Sequence, residues 1–210
     1  MDTARNERGW RGTPDIWLDA AYDSLVEGGV EAVKVMPLAE KLGLSRTSFY
    51  WHFADREALL VGLVARWEGK NTANLVARCV DPAATIAEAM LNLIDCWVDP
   101  DLFDSRLEFA MRTWALTDPG VEVAMAKADA ARLGAITGLF RRFGYSETEA
   151  DTRARTLYLT QVGYIALRSQ ESFEVRMARI PSYVLTFSGV AATAAEIAGF
   201  RARHGVRSGG

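Results

Sequence analysis

The seventeen residues Pro37 to Phe53, PLAEKLGLSRTSFYWHF, constrain this chain more than any other stretch. Leu38 and Leu42, four apart, share one face of a short helix. Gly43 stands where that helix must end and the chain must reverse, and a glycine takes the left-handed cap conformation without steric penalty. Ser45 then reads as an N-cap, its hydroxyl accepting from backbone N–H groups of a second helix that begins at Arg46. Phe49 and Phe53, again four apart, anchor that second helix to the first. Its other face carries Arg46, Thr47, Ser48, Tyr50, Trp51 and His52, donors and flat rings that suit a ligand better than solvent. Two short helices joined this way are a helix-turn-helix.

Bulk charge does not announce what the motif binds. The chain carries a net charge of −3, and its first 60 residues hold seven basic groups against ten carboxylates. Placement matters more than the total, because phosphate contact needs a local cluster. From Lys34 to Arg56 there are four basic groups against Glu40 and Asp55, and Arg5, Arg8 and Arg11 precede them. Asp15, Asp19, Asp23, Glu27 and Glu31 recur at helical spacing, on the expected far face of an earlier helix.

Other function classes find little support. The chain offers only His52 and His204, no glycine-rich phosphate loop and no Cys/His pairing, so neither an enzyme nor a metal site is expected, and no cofactor. Cys79 and Cys96 read as reduced, partly buried thiols. No run of eighteen or more apolar residues suggests a membrane span, and the polar start MDTARNERGW does not read as a secretory signal.

The rest of the chain has helical period and helical punctuation, so the fold class is all-α. Thr13-Pro14 opens a first helix, which turns Ile16, Leu18, Ala21, Leu25 and Val26 inward and stops at Gly28-Gly29. Val33 and Val35 read as a short extended link into the motif. A helix capped by Asp55 runs through Leu59, Leu60, Leu63, Val64 and Trp67 toward Val80. Asp81-Pro82 ends it and caps the next. Further helices are expected at about 83–98, 101–117, 119–143, 147–170 and 174–203. The organisation is a helix-turn-helix domain over 1–54, a connecting helix over 55–80, a larger helical domain over 81–205 and a short tail, 206–210.

PLAEKLGLSRTSFYWHFADREALL, with the helix before it, resembles the signature of the TetR family of bacterial transcriptional regulators. The resemblance spans about Thr13 to Trp67, a third of the chain, with three helices, the Ala39/Gly43 pair and the Tyr50–Phe53 block in register. It departs at Ala54-Asp55, where members often carry a lysine or polar pair, so a phosphate contact there rests on Arg56. The family resemblance implies a cytoplasmic, nucleoid-associated regulator, usually a repressor, that binds a double-stranded DNA operator as a homodimer and is released by a small-molecule effector. An activator of the same fold is the alternative, and a helical partner-binding protein without sequence-specific recognition the more distant one.

Chemistry assigns the reading roles. Ser45, Arg46, Thr47 and Ser48 form the first turn of a helix that enters the major groove, where Arg46 can fork onto guanine O6 and N7. By resemblance, Tyr50, Trp51, His52, Lys34, Thr13 and Arg56 hold the flanking phosphates, which fix register. The middle helices are rich in large apolar groups with a few polar ones. Trp97, Phe103, Phe109, Arg112, Trp114, Tyr158 and Gln161 are therefore the candidate lining of an effector pocket. The family pairs its subunits through the last two long helices. On these, Leu157, Tyr164 and Leu167, and Val184, Phe187 and Ala191, form apolar stripes that suit an interface.

Overall fold

A computed structural model describes residues 12–205. The expectations placed on Arg5, Arg8, Arg11 and the tail 206–210 lie outside them. Gly43 has φ 63° and ψ 27° and closes helix α2 (Val35–Leu42). The Leu44 N–H then reaches back to the Ala39 carbonyl at 2.9 Å, which satisfies an end that would otherwise be orphaned. Ser45 Oγ accepts from the Ser48 N–H at 3.2 Å and starts α3 (Arg46–Phe49). Before them lies α1 (Pro14–Gly28), with Thr13 at its N-cap position and Pro14 in its first turn, although the Thr13 hydroxyl makes no cap bond. After them comes α4 (Arg56–Trp67), whose Asp55 cap accepts from the Ala58 N–H at 2.8 Å.

Trp17, Ala21 and Leu25 of α1, Leu38 and Ala39 of α2, Phe49 of α3, and Leu59, Leu60 and Leu63 of α4 close a common core. Phe49 meets the Trp17 ring edge-on at 5.3 Å and stacks on Phe53 at 5.4 Å. The phenylalanine pair thus fastens the turn to α1 as well as to α2. Two ion pairs brace the same helices, Lys41 with Asp23 at 2.9 Å and Arg66 with Asp19 at 2.6 Å. Asp19 and Asp23 each reach a neighbouring helix while their side chains stay about half exposed.

The connecting segment does not stop at Trp67. A wide turn of π type, Glu68–Thr72, leads into α5 (Ala73–Val80). The larger domain follows with α6 (Ile86–Val98), α7 (Ser105–Ala115), α8 (Pro119–Arg142), α9 (Glu147–Ala166), α10 (Phe173–Ser188) and α11 (Ala194–Arg203). The chain is all-α, a helix-turn-helix unit followed by a larger helical domain, with no strand among the described residues. A second apolar cluster joins α5, α6, α9, α10 and the end of α8, while α7 and the first half of α8 pack on the N-terminal cluster. Among the described residues no helix is long and apolar enough to cross a membrane.

Several boundaries differ from the sequence expectation, each for a local reason. Val35 is helical, and the link before it is a single 3-10 turn, Val30–Ala32. Asp81 ends α5, but the cap of α6 is Thr85, whose hydroxyl accepts from the Glu88 N–H at 3.0 Å. The segment 174–203 is two helices. Gly189 at φ 78° ends the first, and a Thr193/Glu196 capping box starts the second.

Candidate nucleic-acid interface and internal cavity

The turn between α2 and α3 presents a small, chemically dense surface. Lys34, Arg46, Thr47, Tyr50 and Trp51 are all exposed, and Trp51 keeps 62% of its surface in contact with solvent. Met36 is similarly open at 61%. Large rings exposed at this density are unusual on a solvated surface and mark a place where something docks. The platform behind them is rigid, because Phe49 is fully buried against Trp17. The Arg46 guanidinium donates to Tyr50 Oη at 3.0 Å and lies 5.5 Å from the centre of that ring. It is held out from the protein, with no carboxylate within ion-pair distance among the described residues.

Three expectations about this surface need correction. The helix that begins at Arg46 is one turn long, so Tyr50, Trp51 and His52 lie in the turn after α3. The Ser48 hydroxyl shares a 3.0 Å bond with Ser45 Oγ and its residue is buried, which removes Ser48 from the exposed face. Arg56 is engaged internally. Its Nε donates to the Val33 carbonyl at 2.7 Å, its Nη2 to Val30 at 2.8 Å, and its Nη1 to Glu57 at 3.0 Å. The guanidinium fork ties the start of α4 to the 3-10 turn before α2, so it serves the angle of the motif.

A cavity of about 730 Å³ opens between the two halves of the chain. Of the candidate lining residues, Trp97, Phe109, Trp114 and Gln161 border it. Phe103, Arg112 and Tyr158 do not. Phe103 is buried 5.5 Å beneath the Arg132 guanidinium. Arg112 binds Asp129 in a two-pronged contact at 2.6 and 3.1 Å, and Tyr158 donates to Asp129 at 2.6 Å. Their polar ends answer a buried charge network, not a space.

The cavity takes instead three residues assigned by spacing to a subunit interface, Leu157, Tyr164 and Phe187. Leu157 and Val184 are fully buried and Phe187 nearly so, inside the chain's own core. Burial against a partner is therefore closed to them. Leu167 and Ala191 remain exposed. A periodic stripe reports which face is apolar, not what covers it. Sequence reasoning also missed Arg168, Arg176 and Tyr183 in the wall, and the contribution of the N-terminal domain itself. Leu25, Val26, Gly29 and Val30, from the end of α1 and its following turn, close one side.

The charge network beneath the cavity links the halves. Glu108 on α7 is buried, and it accepts from the Trp67 indole at 2.7 Å, from Asn71 at 3.0 Å and from Arg132 at 2.7 and 3.1 Å. Burial alone would raise the Glu108 carboxyl. The Arg132 guanidinium, aided by Arg112 and Asn71, holds it below the usual carboxylate range. Asn71 sits in the π-type turn and also bonds both main-chain groups of Asp104, its Nδ2 to the carbonyl at 3.0 Å and its Oδ1 from the N–H at 2.8 Å. Elsewhere, burial pushes the Cys79 and Cys96 thiols up to about 12, and both are free and buried.

Residues 18–63 match the family model described as bacterial regulatory proteins, tetR family. The class A tetracycline repressor from transposon 1721 of Escherichia coli is 37% identical over 68 residues, 32% of either chain. An HTH-type transcriptional repressor of Mycobacterium tuberculosis is 30% identical over 129 residues, 60% of this chain and 63% of that one. The chain thus spans about a third of the tetracycline repressor and under two thirds of the mycobacterial relative. Among solved structures, Salmonella enterica GusR superposes with a TM-score of 0.62 at 15% identity, covering 89% of this chain and 94% of that one. That likeness is one of fold.

Proposed function

We propose that the chain, whose residues 18–63 match the tetR family of bacterial regulatory proteins, is a repressor of that family that reads a palindromic operator as a homodimer and lets go when a small molecule fills the cavity. The observation that carries the DNA reading is the exposed set Arg46, Thr47, Tyr50 and Trp51 on a turn pinned by buried Phe49. Arg46 and Thr47 reach base edges, and Lys34, Thr13, Tyr50, Trp51 and His52 meet the flanking phosphates. Ser45 contributes by capping α3 and so by fixing where Arg46 points.

One such unit meets a half-site and binds weakly, so two must be related by a two-fold axis. With Leu157, Val184 and Phe187 inside the core, the pairing surface falls to the outer faces of α9 and α10, where Leu159 and Leu185 are exposed.

The cavity suits release because the DNA-binding half forms part of its wall. A molecule pressed against Gly29 and Val30 meets the turn whose Val30 carbonyl Arg56 holds. Moving that turn re-aims α2 and α3 together. The effector acts only through a differential affinity for the two arrangements, about ten-thousandfold for a near-complete switch. Fluorescence anisotropy with DNA flanking the chain's own gene tests the reading. Tight binding that weakens steeply with salt supports it, and no salt-sensitive binding to any fragment ends it.

A further inference from the structure

The wall of the cavity carries more positive charge than its own carboxylates answer. Arg106, Arg168 and Arg176 line it, against Glu27 and Glu171. Glu171 is already paired, with Arg179 outside the wall. Arg176 donates to the Trp97 carbonyl at 2.5 Å. Arg106 and Arg168 have no ion pair among the described residues.

Arg168 stands apart in its backbone as well. It is the only non-glycine among the described residues with a positive φ, 49°, at the point where α9 ends. A left-handed residue after a helix is ordinarily glycine or asparagine, and an arginine there holds a strained conformation. Such outliers concentrate where a side chain must be delivered to a particular place. Here the guanidinium lies 5.4 Å over the ring of Phe109, another lining residue. Trp97 belongs to the same wall and is 93% buried. Trp114, Tyr164, Tyr183 and Phe187 add rings to a wall whose remainder is largely aliphatic, with a few small polar groups.

We propose that the cavity takes an amphipathic organic anion, a carboxylate on an aromatic or alkyl-aromatic frame, with the acid group on Arg168 and the apolar frame among the rings. A planar fork fits a carboxylate with two parallel bonds, and the exposed Arg168 guanidinium is steadied for that pairing over the Phe109 ring. A cation would meet the surplus arginines, and an uncharged hydrocarbon would gain nothing from Arg168. Glu27, exposed on the α1 side of the wall, opposes an anion, so the acid group belongs at the Arg168 end.

The proposal rests on the reading of the cavity as an effector site, and the test separates the two. Phenylbutyrate, phenylbutyramide and phenylbutylamine share one frame and differ in charge. Each is titrated by calorimetry into the full chain and into Arg168→Gly, which removes the charge and suits the left-handed backbone. The carboxylate is expected to bind about tenfold tighter than the amide, with the amine weakest. In Arg168→Gly the carboxylate should fall to the level of the amide, while the amide is unchanged. Equal binding of carboxylate and amide, or a preference that survives Arg168→Gly, overturns the anion assignment. A parallel anisotropy measurement asks whether phenylbutyrate releases bound DNA. Arg168-dependent binding without release leaves the ligand class standing and removes the effector reading, whereas release by carboxylate and amide alike does the reverse. Binding by none of the three overturns both.

Discussion

The indole N–H of Trp67, in the last turn of α4, donates to Glu108 on α7 at 2.7 Å. Both residues are fully buried, and the Arg132 guanidinium bonds Glu108 while lying 5.1 Å over the Trp67 ring. The helix that leaves the DNA-binding half is thus fastened to the larger domain by a hydrogen bond to a buried charge. Small-amplitude motion at that point has two packed elements to move against, which is the setting in which shifts become switches.

Removing the carboxylate should be costly. Glu108→Ala leaves Arg132 fully buried with only the more distant Asp129, 3.9 Å away, as a counter-charge. Breaking a buried pair by deleting one partner typically costs about 3–5 kcal/mol. Urea denaturation should show that loss, and Glu108→Met with Arg132→Met should lose less than the two single changes summed. A double variant at least as unstable as that sum would mean the pair is not the unit that matters.

The same carboxylate makes stability depend on acid. Its folded pKa lies below its unfolded one, so the folded state binds the proton less readily. That contribution is fully present above about pH 4.3 and is lost as pH falls through the folded value. Denaturation midpoints measured down the acid range should fall more gently for Glu108→Gln than for the parent chain. Parallel slopes would assign the acid sensitivity to other groups.

Arg56 separates a positioning role from a phosphate contact. Its bonds to the Val33 and Val30 carbonyls are charge-assisted, each typically worth about 1.5–3 kcal/mol net. Arg56→Ala should lower the stability of the N-terminal half by an amount of that order, and Arg56→Lys should fail to restore it, since a point charge cannot span both carbonyls. The salt slope of DNA binding should stay as it is. A slope reduced by about one unit would return Arg56 to the phosphates.

What was legible in the sequence follows the range over which each signal acts. Gly43, Ser45 and Asp55 declare helix ends through bonds to their own neighbours, and all three do so in the structure. The Thr193/Glu196 box and Gly189 were equally local, and they went unread inside a long apolar period. The fates of Arg56, Arg112 and Tyr158 depend on partners 17 to 46 positions away. No local pattern states such pairings. The stripe through Leu157 and Tyr164 is visible in the sequence, yet nothing in its spacing distinguishes a cavity wall from an interface.

The pairing surface can be tested by two leucines on one helix. Leu159 is 58% exposed and Leu157 is fully buried, although both belong to α9. Leu159→Glu should give a folded monomer, with an unchanged helical circular dichroism signal and half the mass by light scattering. Leu157→Glu should instead unfold the domain, because it buries a charge without a partner. A Leu159→Glu chain that remains dimeric would place the interface elsewhere.

The division of labour on the reading surface is the most exacting prediction. Arg46 is exposed and already aligned by Tyr50, so its bidentate pairing to guanine requires little ordering. Arg46→Ala should relax preference at one base position by about 1–3 kcal/mol while fold and dimer persist. Tyr50→Phe removes the hydroxyl that holds the guanidinium and should lower affinity less, without changing which base is preferred. Lys34 is exposed at the start of α2, where a cation meets phosphate but no base edge. Lys34→Ala should therefore weaken binding to all sequences alike and flatten the salt slope by about one unit. Anisotropy titrations on operator and scrambled DNA over a salt series measure all three. Equal losses for Arg46→Ala and Lys34→Ala on both DNAs would dissolve the distinction between the residue that reads and the residue that positions.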